Sequence, residues 1–274
     1  PDLFENDSLL FKKRFEVEDH IINSVIGNTK GSEFGMVFIR ETTPNQVFYL
    51  SEQNQSKKSK KVLRRIKTDY PIYNFYKASF DKSTFTLSGI EDVSSQVNSL
   101  FQEGPGSLHK ESQGFYFTRS SSQWDEEKKF QLNLYQIKLA YKDISVTPKP
   151  TLLPFNMDGY STLHPSINNS GTVLYFASNR PEGFGGMDLY KVFIKNGIFS
   201  EPENLGADIN TVADEVFPYS YNDKFLFYSS NAKDGRGEMD VYLAENKFEI
   251  RWQKYLLGAG INSSADDFAF SLNQ

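Results

Sequence analysis

The sequence predicts an all-β fold, a β-propeller in which four-stranded antiparallel sheets stand as blades around one axis. The first observation is a repeat. Val-Leu-Tyr-Phe-Ala-Ser-Asn at 173–179 returns as Phe-Leu-Phe-Tyr-Ser-Ser-Asn at 225–231. Gly-Met-Asp-Leu-Tyr at 186–190 returns as Gly-Glu-Met-Asp-Val-Tyr at 237–242, and Asn-Leu-Gly-Ala-Asp-Ile-Asn-Thr at 204–211 as Leu-Leu-Gly-Ala-Gly-Ile-Asn-Ser at 256–263, so three landmarks share an offset of 52 residues. The second observation is that fainter copies run upstream. An Asn/Asp-apolar-Tyr landmark centres on Phe75, Leu134, Leu189 and Val241, and an apolar-Asn landmark falls at Asn23, Asn98, Asn156, Asn210 and Asn262. The third is that the second strand of each unit is almost continuously Val, Leu, Tyr and Phe, so its sheet must be covered on both faces. Sheets set radially satisfy that requirement.

The unit at 163–211 shows each strand. Leu163 to Ile167 is a short first strand, and Asn168-Asn169-Ser170-Gly171 supplies residues that tolerate the left-handed backbone of a tight hairpin. Thr172 to Ser178 is β-branched and aromatic, hence the second strand. Pro181 to Gly186 makes a loop, Asp188 to Ile194 a third strand, Lys195-Asn196-Gly197 a turn, and Ile198 to Leu205 a short outer fourth strand. Read this way, the whole of 1–274 is one propeller domain with units at about 25–99, 100–157, 158–211 and 212–263. Residues 8–24 resemble the tail of a unit and 264–274 the start of one, so the termini share a fifth, closing blade whose middle strands are missing, which removes free sheet edges. A parent protein with more sequence would allow six.

Composition narrows the classes. Aromatic residues make up 15% of the chain, including 24 Phe and 15 Tyr, which suits sheets packed on sheets. No apolar run approaches the roughly 18 residues of a membrane helix, so direct membrane insertion is not expected. The chain has no Cys, which removes thiolate nucleophiles and Cys-ligated zinc. A net charge of −5 argues against general nucleic-acid binding. The absence of an initiator Met and of a leader reads as an excised or processed piece.

The run Pro-Ser-Ile-Asn-Asn-Ser-Gly-Thr-Val-Leu-Tyr-Phe-Ala-Ser-Asn-Arg at 165–180, followed by Gly-Gly-Met-Asp-Leu-Tyr at 185–190, resembles the TolB-like propeller repeat, also called the PD40 or WD40-like repeat. Glu203 to Thr211 and Ala213 to Pro218 resemble the version found in OmpA-family peptidoglycan-associated envelope proteins of Bacteroidota, some of them components of type IX secretion and gliding machinery. The resemblance implies a periplasmic protein, associated with the outer membrane or peptidoglycan, whose partners are envelope proteins. Peptidoglycan attachment would run through a domain absent from this sequence.

The search for chemistry finds no Gly-x-Ser-x-Gly elbow, His-Glu-x-x-His, Walker loop or dinucleotide fingerprint. The expectation is therefore a non-enzymatic interaction module with no cofactor and no bound metal. The candidate contact residues are Lys57, Lys58, Lys60, Lys61, Arg64 and Arg65 in an insertion with seven basic residues in eleven, Trp124 in a loop spanning 121–129, and Phe184 and Arg236 in glycine loops. The alternative is a glycan-active or glycan-binding five-bladed propeller. Glu33, Glu215 and Asp267 each precede the apolar residue that opens an innermost strand, and three carboxylates at one channel rim would suit glycoside hydrolysis. The plainer reading of these acids is that each caps an inter-blade turn. Asp188 and Asp240 follow glycine loops and are read as acceptors for loop amides. His109 and His164 each follow Leu at what reads as the start of an innermost strand.

Overall fold

The computed structural model describes residues 33–40, 45–52, 72–93, 97–99, 102–124, 130–139, 149–247 and 251–272, with the side chains of 33, 40 and 122–124 excepted. These residues form antiparallel sheets and no helix, so none of them contributes a helix long and apolar enough to cross a membrane. Blade 1 holds β1 (Glu33–Arg40), β2 (Asn45–Ser51), β3 (Asn74–Asp81) and β4 (Thr86–Asp92). Blade 2 holds β5 (Glu103–His109), β6 (Gly114–Trp124), β7 (Phe130–Lys138) and β8 (Thr151–Leu152). Blade 3 holds β9 (Thr162–Ile167), β10 (Val173–Ser178) and β11 (Asp188–Lys195), and its outer strand is broken into β12 (Ile198–Phe199) and β13 (Glu203–Asn204), both paired with β11. Blade 4 holds β14 (Glu215–Tyr221), β15 (Phe225–Ser230), β16 (Asp240–Lys247) and β17 (Arg251–Leu256).

Asn-rich turns close the hairpins where expected. Asn222 and Asp223 both adopt positive φ between β14 and β15, as do Asn196 and Gly197 between β11 and β12, the backbone that a two-residue hairpin needs. One element differs from its reading. Trp124 does not sit in a loop but ends β6, paired with Phe130 across a hairpin whose residues 125–129 lie outside the described set.

The continuous apolar strands are explained by layers between blades. Phe48, Leu50 and Phe75 of blade 1 meet Phe115, Phe117 and Ile137 of blade 2. Tyr116 and Leu134 face Ile167, Leu174 and Phe176 of blade 3, whereas Tyr175 and Ala177, on the other face of the same β10, meet Val216, Leu226 and Tyr228 of blade 4. The core is thus a series of slabs, each shared by neighbouring sheets. Burying large side chains on both faces holds every blade in register with the next.

Past blade 4 the chain turns inward. Asp266 bridges Met239, the Asp267 amide donates to Met239 O at 2.7 Å, and Phe270 stacks on Phe227 with ring centroids 4.5 Å apart. Residues 269–272 thereby take the innermost place of a fifth position, between blade 4 and blade 1, as their shared cavity with Met36 to Phe38 demonstrates. The 8–24 segment assigned to the same blade lies outside the described residues.

Candidate functional site

The innermost strands carry the same distortion in every blade. Three residues of β1 from Phe34 oppose two of β2, and the same extra residue occurs after Glu103 in β5, Leu163 in β9 and Val216 in β14. A bulge of this type adds twist and re-aims the following side chains. Gly35, His164 and Phe217 in these bulges hold positive φ, as does Ala269 in the segment past blade 4, a conformation that is costly for Phe and Ala and that clusters at sites where packing overrides local preference. In blade 2 the equivalent stretch is Gly104-Pro105-Gly106, where a Cβ on Gly106 would lie 2.5 Å from the Phe115 ring.

The four bulged strands and residues 269–272 enclose a cavity of about 130 Å³. Its wall is residues 35–38, 105–108, 164–167, 217–220 and 269–272, joined by Lys110 and Asn169 from the turns that follow the innermost strands. Among the described residues, none from the connections preceding those strands lines the cavity, whereas Lys110 and Asn169 carry it toward the turn end. Across the other end lies an aromatic arc. His164 stacks on Phe217 at 3.7 Å between centroids, Phe217 on Phe268 at 5.2 Å, and Phe268 meets Phe34 edge-on at 6.2 Å.

Hydroxyls tie the wall together. The Ile167 amide donates to Ser107 Oγ at 3.0 Å and the Ser220 amide to Ser166 Oγ at 2.8 Å, one step further round the ring; Tyr219 OH donates to Leu272 O at 3.0 Å. The Phe217 amide donates to His164 Nδ1 at 3.3 Å, which leaves the ring proton on Nε2. Burial pushes the His164 pKa down to about 3, so the imidazole is neutral at ordinary pH.

The acids expected at the rim are placed elsewhere. Glu215 is fully buried and accepts from Thr211 N at 2.8 Å, Thr211 Oγ1 at 2.6 Å and Ser230 Oγ at 2.9 Å. Asp267 accepts from Ser263 N at 2.6 Å and Ser263 Oγ at 2.9 Å. Both cap the turn that enters their blade, at the closed end, and neither lines the channel. Glu33 begins β1 and pairs with Ser51 through the backbone; its side chain lies outside the described set. A fourth acid of the series was overlooked: Glu103 accepts from Ser99 N at 2.9 Å and pairs with Arg119 Nε at 3.0 Å. Burial, opposed by Arg119, raises its carboxyl to about 7. The Gly-Pro-Gly that follows Glu103 hides the match in the sequence.

The remaining candidates divide likewise. Asp188 accepts from the Phe184 and Gly185 amides and Asp240 from the Arg236 and Gly237 amides, so both fix their glycine loops. Phe184 is 46% exposed and Arg236 is exposed on those loops, away from the channel mouth. His109 is not at a strand start: it ends β5 and lies at the opposite end of the channel from His164, bonded to Ser112 Oγ and Asn169 O. Lys57, Lys58, Lys60, Lys61, Arg64 and Arg65 fall outside the described residues. What sequence reading missed is the wall itself. Ser107, Ser166 and Ser271 stand two residues past the bulge in three blades, a signal one residue wide inside segments whose register the bulge shifts.

Neither a family model nor a curated protein matches the chain. Solved structures do. A structure titled glycoside hydrolase superposes with a TM-score of 0.56 over 94% of this chain and 83% of its own, at 11% identity. The α-L-arabinofuranosidase of Lactobacillus brevis gives 0.52 over 85% and 74%, at 13% identity. The putative TolB of Agrobacterium tumefaciens gives 0.44 over 81% and 65%, at 13% identity. At these identities the shared property is the propeller fold. The likeness nevertheless overturns the expectation of a non-enzymatic chain. That expectation drew on missing motifs, and structures titled glycoside hydrolase and α-L-arabinofuranosidase share the fold.

Proposed function

We propose that the chain is a glycan-directed propeller that binds or cleaves carbohydrate at the open end of its central channel. The observation that carries this reading is the make-up of the wall, in which the hydroxyls of Ser107, Ser166, Ser220 and Ser271 stand among the apolar faces of Phe38, Tyr219 and Phe270. A sugar ring is built the same way, with hydroxyls around its edge and C–H groups on its faces, and the electron-rich face of an aromatic ring attracts such C–H groups. The likeness to carbohydrate-acting propellers supports the same reading. At about 130 Å³ the cavity is below the roughly 300–1,000 Å³ of pockets that engulf a whole drug-sized ligand, so it admits the end of a glycan. Because Glu215 and Asp267 are committed to turn capping, the reading rests on the wall and the mouth and not on those acids. Incubation with a panel of plant and bacterial oligosaccharides, scored for both retention and release of reducing ends, tests it. Retention or turnover that is lost in Ser271→Trp, which fills the mouth at an exposed position, is expected; retention indifferent to that substitution, or no interaction with any glycan, contradicts it.

A second reading keeps the envelope context implied by the repeat resemblance, in which the propeller docks protein partners in the periplasm. Phe184 and Val212, 46% and 89% exposed, favour it. They stand on adjoining loops held by the Gly186 amide donating to Ala213 O at 3.0 Å. Capture of envelope proteins that Phe184→Ser abolishes would support this role alongside the first.

A further inference from the structure

We infer that His164 is a ligand-contacting residue of the channel, whose Nε2–H donates to an uncharged oxygen of the sugar that ends an inserted glycan. This deepens the glycan reading and rests on it. His164 stands apart from the repeat. Its counterparts are Gly35, Pro105 and Phe217 at the same step of the other bulges and Ala269 past blade 4, all apolar, so nothing in the blade itself calls for an imidazole there. Its surroundings nevertheless hold the ring in one place. The His164 amide donates to Thr118 Oγ1 of blade 2 at 2.9 Å, the Phe217 amide of blade 4 donates to Nδ1 at 3.3 Å, and the Phe217 ring lies against the imidazole at 3.7 Å and 14°.

These contacts aim the other ring nitrogen. With Nδ1 accepting, the ring proton is on Nε2, and among the described residues nothing bonds Nε2. His164 is half-buried and lines the cavity, at the end of the wall away from Asn169. The group that meets it is therefore the leading end of a glycan that enters past that turn. Burial holds the imidazole pKa down to about 3, so the ring offers a donor without a charge. A neutral N–H suits a hydroxyl or ring oxygen, whereas a carboxylate takes its strongest bonds from cationic donors. Because the ring is already ordered by blades 2 and 4, binding costs it little conformational entropy.

In the test, the uncharged disaccharides cellobiose, xylobiose, maltose and lactose are titrated by calorimetry into the wild type, His164→Asn and His164→Gln, each variant first shown to be folded by urea unfolding. Asparagine puts an acceptor where Nδ1 stands and adopts a positive φ readily, but it has no donor at the place of Nε2. Glutamine carries its amide out to the place of Nε2 and gives up the bond from the Phe217 amide. The two variants therefore rank oppositely for the two roles. Donation to the ligand predicts that His164→Asn weakens the best-bound disaccharide about tenfold and His164→Gln about threefold or less, whereas a purely structural imidazole makes His164→Gln the worse of the two. The wild type alone supplies a second readout, since the Nε2 resonance in imidazole NMR should shift on saturation with that disaccharide. Equal binding by all three proteins, weaker binding by His164→Gln than by His164→Asn, or an unmoved Nε2 resonance overturns the inference and leaves the glycan reading standing. Retention of charged glycans alone does the same. Binding of no glycan, charged or uncharged, removes both.

Discussion

His164 shows how far one residue's setting departs from its chemistry in water. It holds a positive φ of 54°, lies flat against Phe217 and accepts a backbone amide, and burial keeps its pKa near 3. The sign of the consequence follows from linkage. The unfolded chain takes up a proton near pH 6.5 and the folded chain does not, so stability present above pH 6.5 is lost as the pH falls toward 3. The slope is about 1.4 kcal/mol per pH unit, which amounts to about 2 kcal/mol at pH 5 relative to pH 7.5. His164→Asn, an L residue that tolerates the left-handed backbone, should show that much less loss over the same interval in urea unfolding. An identical pH dependence in both proteins would mean that His164 titrates normally. The sequence flagged His164 as a residue near the channel, but it could not reveal the burial, because the ring stacked on it is Phe217 of blade 4, dozens of residues away.

Between elements, the decisive unit is a pair of landmarks that the repeat exposes separately and the fold brings together. Asn98, Asn156, Asn210 and Asn262 each receive on Oδ1 the amide of Phe75, Leu134, Leu189 and Val241, at 2.7, 2.8, 2.8 and 2.8 Å. Each returns a bond from Nδ2 to the same residue's carbonyl at 2.8 or 2.9 Å. An asparagine is needed because only a primary amide both accepts and donates as a backbone unit does. In this way the connection leaving one blade is stitched to the third strand of that blade just before the chain enters the next. Asn210→Ala would leave the buried Leu189 N–H unpaired and its C=O held by the Leu205 amide alone, and a loss of about 2 kcal/mol in unfolding free energy is expected. A loss under about 0.5 kcal/mol would show that the stitch is dispensable. These joints were legible because a repeated residue with one job recurs at one offset. The rim acids were misplaced for the same reason. Glu215 and Asp267 recur because each serves its own joint, and their alignment in sequence says nothing of which end of the strand faces the axis.

At the level of the whole molecule, strand count, strand order and the inward return of 266–272 follow from units that cannot cover both faces of their sheets alone. Blade 3 was readable strand by strand because its turns are Asn- and Gly-rich, whereas the channel wall was not. Its position depends on four bulges, each adding a residue to an otherwise regular pairing, and on which end of the axis an aromatic arc occupies. Those are properties of the closed ring, set by contacts between blades, and they decide where a ligand can enter. The account therefore commits to one face of the propeller. Hydrogen–deuterium exchange with and without the tightest-binding oligosaccharide tests that commitment most directly. Slowed exchange is expected in the turns that follow the innermost strands, at 110–113, 168–172 and 222–224, with the loops at 181–187, 211–214 and 232–239 unchanged. Slowed exchange in the second set and not the first would put the ligand on the opposite face and contradict the account.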